Sequence, residues 1–300
     1  MSTDTIDELS PLARAEKWFD EIRLIDAVSA LTLMLAVFFG FEQPLFKLGI
    51  QAALLGVLLR PSLIKSPLMW LMLSVFATIV LIETWSTSDN HKYLFVYWFW
   101  VVTIARWVEP QGQDEAVLRS HARFFLVFVF LVAAAQKLAS PTYMSGEMFE
   151  LKLLLDERFK AFGHLLGIDR SIPEAARLEI VNLKSPLSVY TDNAIPISST
   201  DLVHSLAQAI TWYDLLVQIA IGLLFIPGKR MTDVLGHAVL LFFIFTTYLP
   251  APVFGFGWTL AIYGLTLAKG QYRFMALLYA TAFLAILAYQ APWRDWVLET

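Results

Sequence analysis

Roughly nine stretches of this chain are too apolar to stand in water on all sides. They lie at 24–42, 46–60, 67–83, 92–108, 122–138, 205–227, 232–249, 252–268 and 273–290. A helix needs about 20 residues to cross the hydrocarbon of a bilayer, within a range of about 17–25. Most of the runs qualify; the second is short unless it extends back through Pro44. In lipid every backbone amide must be satisfied internally, which leaves helices as the reasonable form for runs of this length. The expectation is therefore an all-α, polytopic transmembrane bundle of eight or nine spans.

Composition agrees. Hydrophobic residues make up 58% of the 300, charged residues 16%, and the mean hydropathy is +0.62. Soluble domains are about 45–50% apolar and about 25% charged, so both departures point to lipid. The ten Trp and ten Tyr suit rings placed at membrane interfaces. There is no basic stripe for nucleic acid. The absence of Cys rules out a disulfide framework, a thiolate nucleophile and a Cys-ligated metal.

Charge placement orients the bundle. With the N-terminus inside, the inner loops hold Arg14, Lys17 and Arg23, then Arg60 and Lys65, then Arg106, Arg119 and Arg123, then Lys229 and Arg230, then Lys269 and Arg273. The short outer segments hold only Lys47, Lys92 and Arg294. That bias follows the positive-inside rule and favours an odd number of spans with an outer C-terminus. Residues 1–23 mix acids and bases without a cleavable signal pattern, and read as a cytoplasmic amphipathic segment ahead of a retained first anchor. Residues 24–290 are the bundle and 291–300 a tail.

Segment 139–204, between the fifth and sixth spans, is too polar to cross and reads as extracytoplasmic. EMFELKLLLDERFKAFGHLL places Phe149, Leu153, Phe159 and Leu166 at helix-like spacing, as one helix lying on the membrane or capping the bundle. A further helix starts at Ser171-Ile-Pro173-Glu174. KSPLSVYTDNAIPISSTD reads as loop, after which Ser199, Thr200 or Asp201 caps the next helix. No internal repeat is visible, which lowers the prospects of a transporter.

Ionisable groups at membrane depth are candidates for function because desolvating charge is costly. Glu83, Asp89, Asn90 and His91 lie at the outer end of the third and fourth spans, where an interfacial loop, with Asp89 or Asn90 as helix cap, would also account for them. Lys137 ends the run that starts at Phe124. Taken alone, a snorkelling side chain is the simpler account, whereas an amine facing the bundle interior would be desolvated, drift towards neutrality and serve as a base. Asp233 and His237 share a helix face, as a hydrogen-bonded contact between helices would also require. One His with one Asp makes a poor metal set, and no phosphate-binding loop, dinucleotide fingerprint or nucleophile elbow occurs. No metal or nucleotide is expected.

Asn90-His91-Lys92-Tyr93-Leu94 resembles the Asn-His-x-Tyr-Leu motif of the vitamin K-dependent gamma-carboxylase family, whose wider bacterial group is the HTTM (horizontally transferred transmembrane) domain. FLVAAAQKLASPTYMSGEMF resembles that family's run of small residues, Lys-Leu, a spacer and a Gly, here Gly146. TWYDLLVQIAIGLLFIPGKRMTDVLGHAVLLFFIF resembles its later pair of spans, in which a basic hairpin precedes a helix carrying a His. The resemblance covers roughly residues 20–268. It implies a quinol-linked oxidoreductase or oxygenase, related in chemistry to a lyase, that uses menaquinol or ubiquinol and molecular oxygen. By the same resemblance Lys137 is the base, His91 polarises the quinol and Asn90 positions His91 or a substrate oxygen. Tyr93, Tyr143 and His237 would line the cofactor pocket, with Tyr143 standing in for the family's aromatic residue after Lys-Leu. His91 and Lys137 should then open on one shared cavity near the outer face. The chain ends soon after its last span, without the large extracytoplasmic domain of the animal enzyme, so carboxylation of a protein substrate is not expected. The alternatives are a non-catalytic, immunity-like membrane binding protein, with a membrane or extracytoplasmic protein as partner, and a small-solute transporter. A bacterial inner membrane is the expected location.

Overall fold

A computed structural model of the chain describes residues 21–169, 171–183, 199–248 and 254–290. Most of the amphipathic N-terminal segment, most of the 184–201 loop and the C-terminal tail lie outside these. Among the described residues the fold is all-helical, without strands. Each apolar run forms a helix: α1 (Leu24–Phe39), α2 (Pro44–Leu59), α3 (Pro67–Glu83), α4 (Asn90–Val108), α5 (Asp114–Leu138), α10 (Asp201–Phe225), α11 (Arg230–Tyr248), α12 (Phe254–Ala268) and α13 (Arg273–Gln290). The second run does begin at Pro44, where the missing amide hydrogen of proline costs nothing at a first helical position. Between α5 and α10 lie the short α6 (Pro141–Met144), α7 (Glu147–Leu155), α8 (Glu157–Leu165) and α9 (Ser171–Leu183).

Three of these helices, α5, α10 and α11, are long and apolar enough to cross a membrane, which points to a membrane protein. Their surroundings agree. Helix α2 buries only Phe46 and Ile50, while Leu45, Leu48, Leu55, Leu58 and Leu59 are exposed. A helix with that many bare leucines is stable only where its surroundings are apolar too.

The core is organised around α12, which touches α1, α4, α5, α11 and α13 and is buried on nearly every face from Gly255 to Lys269. Trp258 stacks on Phe283 at 4.6 Å, and Tyr263 stacks on Phe125 at 5.2 Å. At Gly264 a β-carbon would come within 2.2 Å of the Tyr279 ring, so α12 and α13 approach closely only because that position has no side chain. Gly264→Ala is expected to destabilise the fold by about 1–3 kcal/mol through forced displacement of Tyr279, read from thermal unfolding in detergent.

Polar contacts join the early helices. The Trp98 indole donates to Thr32 Oγ1 at 3.0 Å between α4 and α1, and Trp100 donates to Thr78 Oγ1 at 3.0 Å between α4 and α3. Ser74 and Thr103 share a hydrogen bond of 2.7 Å across the same pair. In apolar surroundings such pairs satisfy groups that otherwise have no water to meet.

The helix ends fall into two groups. At one end, Arg23 reaches Glu109 and Asp114, while buried Arg106 pairs with Asp26 at 2.8 Å and Glu109 at 3.0 Å. Arg119 donates to the carbonyls of Thr266, Leu267 and Lys269 that end α12, and Arg123 to that of Phe225 at the end of α10. At the opposite end Lys92 donates to the carbonyls of Phe39 (2.7 Å) and Gly40 (2.5 Å) that end α1. In each case a cation from another helix satisfies carbonyls left over at a helix C-terminus and meets the negative end of its dipole.

The segment between α5 and α10 departs from expectation in one respect. Residues 147–165 form two helices, not one. Asp156 takes an extended backbone and its carboxylate accepts from the Arg158 amide at 3.0 Å, ending α7 and capping α8. The cap of α10 is Thr200, which accepts from Val203 N. Asp89 occupies the cap position of α4, yet its side chain makes no cap hydrogen bond.

Candidate functional site

Two polar centres lie at the Lys92 end of the bundle. The first is a buried cluster built on Asp214, in the middle of α10. Its Oδ2 accepts hydrogen bonds from the Lys137 ammonium and the Tyr143 hydroxyl, and its Oδ1 accepts from Gln218 Nε2 at 2.7 Å. Counting back eleven residues from Phe225, Asp214 sits about 16 Å along α10 from the end that Arg123 caps.

Local structure explains the meeting. Side chains on a helix lean towards its N-terminus. Lys137, in the last turn of α5, therefore leans back into the bundle rather than out towards the nearer surface. Asp214, on the oppositely directed α10, leans towards it. Gly222 lets α5 and α10 close together, since a β-carbon there would lie 2.6 Å from Leu131. Tyr143 is delivered by α6, whose N-cap Ser140 accepts from the Tyr143 amide and whose first residue is Pro141. The ammonium also lies over the Tyr143 ring, 5.2 Å from its centroid. Gly146 then turns the chain with φ +82°, and Gln208 of α10 donates to Ser145 O against it.

Lys137 is thus neither a snorkelling side chain nor a lone amine in a dry crevice. Its side chain is 20% exposed, that of Asp214 12%, and the two form an ion pair. Burial, with the Asp214 charge and hydrogen bond, pushes the Tyr143 phenol well above its ordinary value and keeps it protonated as a donor. Gln218 Oε1 is buried without a hydrogen-bond donor among the described residues.

The second centre is a vestibule of about 950 Å³. The end of α1, the α1–α2 and α3–α4 connections and the start of α4 form its floor and walls, and Lys152 of α7 and Arg158 of α8 face it from the segment between α5 and α10. His91 opens on it, held against Gly255, where a β-carbon would crowd its ring at 3.3 Å.

The sequence candidates divide between these centres. Lys137 and Tyr143 come together. His91 lines the vestibule, which Lys137 does not, so the shared cavity expected for those two side chains is not what the fold builds. The reason is Asp214, which draws the amine inward. The centres are nonetheless neighbours: Lys152 lines the vestibule, rests against Phe149, and feels the charges of both Lys137 and Asp214, while Phe149 packs on Tyr143 at 5.8 Å. Tyr93 turns away, its hydroxyl donating to Trp85 O at 2.8 Å. The Asn90 side chain lies outside the described residues; its backbone opens α4.

His237 belongs to neither centre. It shares a hydrogen bond of 3.0 Å with the Tyr279 hydroxyl and packs against Phe225 and Tyr272. Four residues before it, Asp233 accepts from Nη1 and Nη2 of Arg123, each at 2.8 Å. Asp233 and His237 do share a buried face, at the end of the bundle remote from the vestibule. Among the described residues no cluster of metal-ligating side chains occurs.

Asp214 is the residue that the sequence reading passed over. Its signal was an acid inside the run AITWYDLLVQIAIGLL, with Gln218 one turn later on the same face. No family model matches the chain, and no curated protein or solved structure is significantly similar to it.

Proposed function

We propose that the protein is an integral membrane protein, crossing a bacterial inner membrane eight or nine times with its N-terminus inside, and that it exchanges a proton with a lipid-soluble quinol at the Lys137–Asp214–Tyr143 cluster. The observation that carries this reading is the ion pair itself, set at depth in an apolar helix, where an unneeded charge pair would be a liability. A quinol can enter laterally between helices. Its hydroxyl is a donor of the kind that the unfilled Gln218 Oε1 lacks.

In this arrangement Lys137 acts with Asp214. The quinol hydroxyl releases its proton to the pair, Asp214 taking it while the Lys137 ammonium and Tyr143 hydroxyl steady the phenolate that forms. The resemblance to the carboxylase family supports a quinol substrate, with molecular oxygen as electron acceptor. His91 takes no part at the reacting atom and lines the separate vestibule. Quinol oxidation in detergent, followed as oxygen uptake with menaquinol or ubiquinol, is expected to fall at least a hundredfold in Lys137→Met and in Asp214→Asn. Native turnover in either variant sinks the proposal. Organic extraction of the purified protein should also yield a bound quinone.

One observation favours a second reading. The Lys137–Asp214 pair is satisfied internally and does not open on the vestibule, as suits a binding protein that needs no turnover. Bound quinone without oxygen uptake in the native protein would select it.

A further inference from the structure

We propose that the vestibule is a binding site for a phosphoryl group, centred on Lys152 and Arg158, and that the bearer is an amphiphile whose apolar part lies along the end of α1. The amphiphile, though not the phosphoryl group, rests on the membrane reading above.

The argument is a balance of charge. Four cations, Lys47, Lys92, Lys152 and Arg158, line the cavity against two acids, Glu42 and Asp89. Glu42, Asp89 and Lys47 lie by Lys92, and the Asp89 charge reaches Arg158 as well. Lys92 is already committed to the carbonyls of Phe39 and Gly40. On the facing wall Arg158 forks onto Asp156 through Nε and Nη2, and Nη1 donates to nothing among the described residues. Lys152 has no hydrogen-bond acceptor and no ion pair among them; it rests on the Phe149 ring 5.8 Å away.

Arg158 holds the Asp156 carboxylate, so the half-buried Lys152 ammonium has no ion pair of its own among the described residues, and an anion in the vestibule would supply one. Burial first, and then the Arg158 charge, hold Lys152 below the ordinary lysine value against the opposing pull of Asp156 and Asp214. A phosphoryl group carries enough charge to meet both cations and has three acceptor oxygens for their donors. The size suits more than a bare ion, since about 950 Å³ is the volume of a site for a drug-sized ligand. Val37, Phe38, Phe39 and Phe41 give the same cavity an apolar wall, and Phe38 is 56% exposed. A cationic head site beside an aromatic wall is the complement of an acidic lipid.

The test is binding to the purified full-length protein in detergent, by calorimetry, with three probes: dioctanoyl phosphatidic acid, dioctanoylglycerol and inorganic phosphate. Phosphatidic acid is expected to bind saturably and dioctanoylglycerol at least tenfold more weakly. Inorganic phosphate should compete, but weakly; if it binds as tightly as the lipid, the apolar wall contributes nothing and the amphiphile is overturned. Lys152→Gln leaves the Arg158–Asp156 pair intact and is expected to lose about tenfold in affinity for phosphatidic acid. Lys160→Gln, on the same segment but away from the vestibule, should bind as the native chain does. Native affinity in Lys152→Gln, or equal binding of dioctanoylglycerol, overturns the site. The binding result is independent of oxygen uptake in Lys137→Met, so failure here and failure of the quinol reading are separately visible.

Discussion

Asp214→Leu is expected to destabilise the protein by about 3–5 kcal/mol, and a second substitution, Lys137→Met, to restore most of that loss. The single change leaves an ammonium largely desolvated and without its carboxylate, and removes the acceptor for Tyr143 and Gln218 as well. The double change removes both charges and fills the space with side chains of similar volume. Chemical unfolding in detergent, run as a double-mutant cycle, gives the coupling. A single substitution costing less than about 1 kcal/mol would mean that the pair is wet and behaves as a surface contact. The cycle also separates structure from chemistry: the double variant should be stable and, on the quinol reading, inactive.

A second pair behaves differently. Arg123→Met strands the Asp233 carboxylate, which is 4% exposed, and the expected cost is again about 3–5 kcal/mol. Here Asp233→Leu in the same chain should recover only part of it. Arg123 also donates to Phe225 O at 2.9 Å, and no aliphatic pair replaces a cation at the last carbonyls of α10. The expected remainder is about 1–2 kcal/mol, the cost of an unmet buried carbonyl. Full recovery in the double variant would show that the carbonyl finds another donor.

Much of the fold is legible in the residues because apolar runs and helices answer to the same constraint. All nine runs became helices; of the basic residues counted for the inner loops, Arg23 and Arg106 meet Asp26, Glu109 and Asp114, and Arg119 and Arg123 meet the ends of α12 and α10. The break at Asp156 was less legible. The apolar spacing runs through it, while the competition of its carboxylate for the Arg158 amide is a local matter that periodicity does not register.

The site was half legible. Lys137 and Tyr143 stand six residues apart, and the Ser140-Pro141 cap brings them together by local rules. Their partner Asp214 is 77 residues from Lys137, and no local signal joins the two. Had every acid in an apolar run been asked for its cation, Asp214 would have called for a basic group at the same depth, and Lys137 was the nearest candidate at that end. His91 and Lys137 parted for the same reason, because the pairing that moved the amine lies outside both motifs.

The cations at the helix ends bear on how the chain matures. Helices α10 and α12 emerge from the ribosome long after α5, yet the groups that complete their terminal carbonyls, Arg123 and Arg119, are on α5. Until those later helices arrive, Arg123 lacks Phe225 O and Asp233 and Arg119 has Glu115 alone, and each late segment completes its terminal carbonyls by docking against α5. A chain cut short before α10 would therefore present α5 with the Arg123 donors unmet.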